Sequence, residues 1–212
     1  MDKPASFGVA AAARRSATAL EGYVPASLES LVSELSDDVV LLSQSYAAWL
    51  QLVHPEQRAP YAEVLERFSS FFEPTALAHF LSVVVTTYQL TDERSDVVSV
   101  WRVLERAQNS YPEVAREVGA MLAPSRQIFE RIASIRLKVY AHRDGRVGPE
   151  MIFREANLTP ELIGSCMSLL QFAVDALAVR CVPGCVAGAV VTRATHAADR
   201  TRGELRTMLA AL

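Results

Sequence analysis

Cysteine is scarce in this chain, and its spacing suits neither a disulfide framework nor a metal. Cys166, Cys181 and Cys185 are an odd set of three, and the Cys181-x-x-x-Cys185 interval lacks the usual two-residue gap of zinc sites. They are expected to be reduced thiols of a core. A surplus of positive charge is missing too. With 21 Lys and Arg against 24 Asp and Glu, the formal charge is −3. That excludes a broadly basic surface that coats nucleic acid, and leaves room for a local basic site. Long apolar runs are absent: the longest, Cys181 to Val191, contains Pro183, Gly184 and Gly188 and falls far short of the roughly 20 residues of a membrane span. Near the N-terminus, Phe7 to Ala13 is mostly alanine and runs straight into Arg14-Arg15, which is a poor signal peptide. Residues 1–22 are expected to be a mobile tail, and the chain a soluble, cytoplasmic one with no membrane partner. No glycine-rich phosphate loop, internal repeat or strand alternation is found, and no cofactor or metal is expected.

What the chain does have is helical periodicity almost throughout. At 212 residues and 50% hydrophobic content it can bury a sizeable core in one domain. Leu28, Val32, Leu35, Val39, Leu42, Tyr46, Trp49 and Val53 recur at four- and three-residue steps and predict a long first helix that ends at His54-Pro55. A second helix is expected from Pro60 to Phe71-Phe72. A third follows Pro74, with Leu77, Leu81, Val84 and Tyr88 on one face. The polar run from Thr91 to Asp96 predicts a connection, and a short helix is expected over Val97 to Ala107.

One long helix is then expected from Pro112 to Ala141. Ile128, Ile132, Ile135 and Val139 form its main stripe, and Phe129, Ala133, Arg136 and Tyr140 a second line, as suits a helix wedged between neighbours. A glycine-rich turn follows at Asp144-Gly145 and Gly148-Pro149, then a short segment from Met151 to Ala156. Thr159 as N-cap, Pro160 at the first helical position and Glu161 at the positive end of the dipole begin the next helix. Its stripe is Ile163, Met167, Leu170, Val174, Leu177 and Cys181. After Pro183-Gly184, a last helix from about Thr192 has an Arg-rich side and few large apolar residues, and residues 183–212 are expected to form an appendage. The fold class is all-α, a bundle of long antiparallel helices over residues 23–182.

Chemistry is suggested only where the long helix ends, at Arg136-Leu137-Lys138-Val139-Tyr140-Ala141-His142-Arg143-Asp144. Cleaving RNA with side chains alone needs a base for the 2′-hydroxyl, an acid for the leaving oxygen and a cation for the phosphate oxygens. Histidine supplies the first two near neutrality, and arginine supplies a fork matched to phosphate. On a regular helix, with Ile128 as zero, Arg136 projects at about 80°, Arg143 at about 60° and His142 at about −40°. Arg136 and Arg143 then share a side, and an unwound helix end or a second subunit would bring His142 to them. Arg126, Arg131, Arg136, Lys138, Arg143 and Arg146 face only Glu130 and Asp144 in this stretch, although the helix dipole alone favours cations near a C-terminus. By residues alone, the default reading of His142 is a partly buried structural histidine.

The segment resembles the signature of the HEPN superfamily, all-helical domains marked by Arg, four to six residues, then His. Ile135 to Asp144, ending in Ala141-His142-Arg143-Asp144, is similar to its abortive-infection U-type branch. The aromatic second helix, Leu90-Thr91-Asp92 and the Thr159-Pro160 cap fall in the same order, so the resemblance covers roughly residues 25–182. It implies a homodimer with two Arg-His motifs facing one cleft. It also implies metal-independent cleavage of RNA in phage defence or a toxin-antitoxin system, with an antitoxin or nucleotidyltransferase as a further partner. Carried onto this chain, Arg136 would stabilise phosphate charge and His142 would act as acid or base. Lys138 and Arg143 would hold the RNA backbone, and Asp144 and Tyr140 would support the site. Active members commonly carry Asn, Asp or His directly after the arginine, where this chain has Leu137. The chain also lacks the tyrosine two residues after the histidine that some relatives use. Members without catalysis serve as RNA- or protein-binding modules, the alternative function here.

Overall fold

A computed structural model describes residues 27–94, 96–141 and 156–212, with backbone only for 139–141. The expected N-terminal tail, the Asp144 to Pro149 turn and the segment before Ala156 lie outside the described residues. Every described element is helical, and together they form an all-α bundle.

Helix α1, Leu28–Val53, is the hub. It starts because the Ser27 side chain accepts from the Ser30 amide at 3.1 Å, and it stops at His54, whose backbone is extended ahead of Pro55. Val32, Leu35, Val39 and Leu42 of the expected seam are fully buried. Ser36, Ser43, Ala47, Ala48 and Gln51 are buried as well, so more than one face is covered. Four helices account for that: α4 (Ser69–Thr91), α5 (Val100–Ser110), α8 (Pro160–Cys181) and α9 (Ala189–Ala211) all pack on α1.

After a one-turn helix α2 (Pro55–Arg58), the stretch from Pro60 to Phe72 expected to be one second helix is divided among a 3-10 turn (Ala59–Tyr61), α3 (Ala62–Arg67) and the start of α4. Pro60 sits in the 3-10 turn rather than opening an α-helix. Pro74 does not restart the chain either: α4 begins five residues before it and runs through it. The buried side of α4 is Val83, Val84, Thr86, Thr87 and Leu90, while Leu77 stands 54% exposed. The early part of α4 meets only a small outlying cluster, in which Phe72 packs with Leu52, Leu65 and Leu209.

The long helix expected over 112–141 is divided as well, into α6 (Pro112–Leu122), a 3-10 turn (Ala123–Ser125), α7 (Arg126–Ile135) and a π-helical turn (Arg136–Ala141). Pro124 explains the first break, since it lacks the amide an α-helix would use and its ring crowds the preceding turn. Phe129, Ile132 and Ile135 of α7 are buried, and the helix packs against α4.

Thr159 caps α8 as expected, accepting from the Leu162 amide at 3.3 Å, with Pro160 at the first position. By length and composition α8 is apolar enough to cross a membrane, and half of that stretch is buried within the bundle. Ile163, Leu170, Val174 and Leu177 belong to the central core. Cys166 and Cys181 are free and buried, Cys185 free and half-buried; burial pushes the Cys166 thiol up to about 12. Gly164 is required by packing: a Cβ there would lie 2.5 Å from the Tyr46 hydroxyl, which donates to the Pro160 carbonyl at 2.7 Å.

Helix α9, expected as an appendage, lies along α1 and against α8, and Val190 and Ala194 enter the central core. Small residues replace bulk here, because Val190, Ala194 and Ala198 let the two helices approach closely. Its start is fixed by Asp175 of α8, whose carboxylate accepts from the Gly188 amide at 2.8 Å and the Val190 amide at 2.9 Å. Gly188 takes a φ of +82°, open to glycine and strained for other residues. Near its end, Arg206 Nε donates to Gln51 Oε1 at 2.7 Å, and Gln51 Nε2 donates to the Gln57 carbonyl at 2.7 Å.

Candidate active site at the π-helical turn

Arg136 opens the π-helical turn that prolongs α7. Such turns widen the helix, with bonds from i to i+5, and they recur at functional sites. They also void the register used to relate Arg136 to His142, which assumed about 100° per residue. His142, Arg143 and Asp144 follow the turn directly and lie outside the described residues, as does the side chain of Tyr140. Of the expected site, the structure therefore places Arg136, which is half-buried, and Lys138, which is exposed. Leu137 between them is 41% exposed, an apolar side chain turned to solvent.

The guanidinium carbon of Arg136 lies 4.8 Å from the centroid of the Tyr88 ring, a cation–π contact between the π turn and α4. The Tyr88 hydroxyl bonds Asp92, and burial together with that neighbouring carboxylate holds the phenol above its ordinary pKa. Asp92 is buried and fully engaged. It accepts from the Arg94 amide at 3.0 Å and from Arg94 Nε at 2.9 Å, with Arg94 Nη2 at 2.8 Å. Burial alone would raise its pKa, but the bonds from Arg94 and Tyr88 outweigh that and hold the carboxyl below its usual range. Asp92 is therefore spoken for, and among the described residues no carboxylate reaches Arg136 as an ion pair.

A second arginine on α7 shows the contrast. The Arg126 guanidinium lies 4.7 Å from the Trp101 ring centroid and also pairs with Glu93 at 3.2 Å. Arg126 has a ring and a carboxylate; among the described residues Arg136 has only the ring. A ring holds a guanidinium in place without neutralising it, so Arg136 keeps its donors for an anion.

Beside Arg136 is a cleft of about 370 Å³, walled by Glu34 and Asp38 of α1, by Tyr88 and Gln89 of α4, and by Asp92 and Arg94 of the connection. Asp38 is half-buried. Burial first, and the charges of Glu34 and Asp37 second, push its carboxyl upward. Sequence reasoning missed Tyr88, Glu34 and Asp38, which lie more than 40 residues from Arg136; only the polar Thr91 to Asp96 run hinted at this neighbourhood. A larger, open depression of about 700 Å³ lies between α1 and α9. There Arg193 is tied to Asp37 at 3.0 Å, and the α9 amides are already capped by Asp175. Among the described residues no group of His, Cys, Asp and Glu is placed to hold a metal ion.

Comparison with protein-family models, with curated proteins and with solved structures finds no match for this chain.

Proposed function

We propose that the chain is a metal-independent endoribonuclease effector of a phage-defence or toxin-antitoxin type, acting as a homodimer with Arg136 and His142 at its site. The observation that carries the reading is the state of Arg136: held on Tyr88, free of any described carboxylate, at the mouth of a cleft and on a π-helical turn six residues before His142. A guanidinium with no described carboxylate partner at such a place stabilises the oxygens of a phosphodiester as charge builds on them. His142 moves the protons, and exposed Lys138 with Arg143 engages the flanking phosphates. Asp144 and Tyr140 support the turn. An antitoxin or nucleotidyltransferase partner belongs to the same reading.

The test is incubation of the purified chain with structured and single-stranded RNAs in the presence of a chelator. Cleavage is expected, and it is expected to be lost in His142→Ala and Arg136→Ala while the circular dichroism melt stays put. Intact RNA with the folded wild-type dimer, with and without cellular partners, overturns the reading. One observation favours the alternative, a non-catalytic helical module for RNA or protein: Leu137, exposed beside Arg136, offers no hydrogen bond where a polar neighbour would assist the phosphate. That reading predicts binding without cleavage.

A further inference from the structure

We propose that the cleft beside Arg136 is a subsite for one nucleotide, with Arg136 at its phosphate and the Glu34 and Asp38 carboxylates accepting from the exocyclic amino group of its base. The inference rests on the ribonuclease reading and names what that site selects.

Glu34 and Asp38 are four residues apart on α1 and so share one face of it. They line the same space as Arg136, yet neither carboxylate is within 4.0 Å of its guanidinium. Charges of opposite sign thus face one another across a gap instead of closing into an ion pair. The upward push on the Asp38 carboxyl, from burial and from Glu34 and Asp37, agrees with a carboxylate that has no cationic partner among the described residues. A ligand suited to the gap is anionic at one end and rich in N–H donors at the other. A nucleotide carrying cytosine, adenine or guanine has both ends, and carboxylates are the natural acceptors for such amino groups. Uracil has no amino group and presents carbonyl oxygens to the acidic wall. The Arg136 guanidinium carbon lies 4.8 Å from the Tyr88 ring centroid, a contact that positions the cation and leaves its N–H donors for the phosphate. The volume of about 370 Å³ is near the lower end of small-molecule sites, of the order of 300–1,000 Å³, which suits one nucleotide and not a stack of them.

The experiment titrates the full chain with CMP, AMP, GMP and UMP, followed by calorimetry or by NMR of the amides of α1 and α4. The three amino-bearing nucleotides are expected to bind about tenfold tighter than UMP, the scale of one good base-edge contact. Asp38→Asn and Glu34→Gln keep the side-chain volume and put an amide donor where uracil has a carbonyl; each is expected to erase or invert that preference. Arg136→Ala is expected to weaken all four nucleotides by a similar factor. Thermal melts of each variant report whether it folds, and the two α1 variants back one another up. Equal binding of the four nucleotides, no binding at all, or a preference untouched by both α1 substitutions overturns the subsite. The ribonuclease reading is judged separately: RNA cleavage without nucleotide preference leaves that reading standing and removes this one. Selective nucleotide binding without RNA cleavage does the reverse.

Discussion

The α8–α9 junction and the acidic wall of the cleft beside Arg136 treat their charged groups differently. At the junction Asp175 accepts from two amides, and one turn earlier on α8 Gln171 Nε2 donates to Ser43 Oγ of α1 at 2.9 Å, while Ser43 donates to the Val39 carbonyl at 2.7 Å. At the cleft Asp92 is matched by Arg94 and Tyr88, while Glu34, Asp38 and Arg136 line the same space with no ion pair between them. Matched polar groups fix one fold, because leaving any of them unpaired costs about 1–3 kcal/mol each. Charges left unmatched at a cleft do not stabilise the fold, and they suit a ligand of complementary charge. On the ribonuclease reading, stability and activity would be held by separate residues, so they should fail separately.

The largest effect expected is on turnover. Arg136→Ala should lower the rate of RNA cleavage by roughly 10²–10³, the usual consequence of removing one donor that stabilises transition-state charge, and should leave the thermal midpoint within a few degrees of wild type. Single-turnover cleavage and a calorimetric melt measure the two. A variant that melts far below wild type would break the comparison, because Arg136 would then belong to the fold.

The converse substitution is at the junction. Asp175→Ala orphans the Gly188 and Val190 amides at the start of α9 and should cost about 2–4 kcal/mol, two unsatisfied donors' worth. Urea denaturation measures it. Nucleotide binding by the fraction still folded should be unchanged. Gly164→Ala should cost less, about 1–3 kcal/mol, because the new methyl meets the Tyr46 hydroxyl 2.5 Å away while that hydroxyl is held by Pro160. Adding Tyr46→Phe should recover part of the loss; no recovery would mean that the clash is not the cause.

The two regions also differ in how far they can be read from sequence. The α1 seam, the His54-Pro55 stop and the Thr159-Pro160 cap are local signals, and all appear where four- and three-residue steps and capping chemistry put them. The role of α9 was hidden because it packs by close approach of Val190, Ala194 and Ala198, so a count of large apolar residues undervalues it. Pro124 broke the long helix against its periodicity, and Pro74 was absorbed into α4 despite being proline. At the site, Arg136 was legible as part of the second line of the expected long helix, while its ring partner and the acidic wall come from α4 and α1 and depend on tertiary packing that no local pattern encodes.

The smallest effect is also the most discriminating, since two carboxylates of one cleft should respond to acid with opposite sign. Asp92 is held below its ordinary pKa of 3.8 by its bonds to Arg94 and Tyr88, which outweigh its burial. Its contribution to stability is therefore complete above that value and is lost as pH falls through the lower, folded one. Asp38 is pushed above the same value by burial and by Glu34 and Asp37. The folded chain takes up a proton there before the unfolded chain does, so the ionised group opposes folding at neutral pH, and the opposition fades as pH falls through the raised pKa. Asp38→Asn should accordingly be neutral to slightly stabilising at pH 7, within about 0.5 kcal/mol, as expected of a half-exposed group. Its advantage over wild type should shrink on acidification. Asp92→Asn should be destabilising at pH 7, with the deficit shrinking only at lower pH, below about 3.8. Paired urea melts of both variants from neutral to acidic pH measure this. If Asp38→Asn proved as costly as Asp92→Asn, the acidic wall would be part of the structural network, and the division between matched core and unmatched cleft would have to be redrawn.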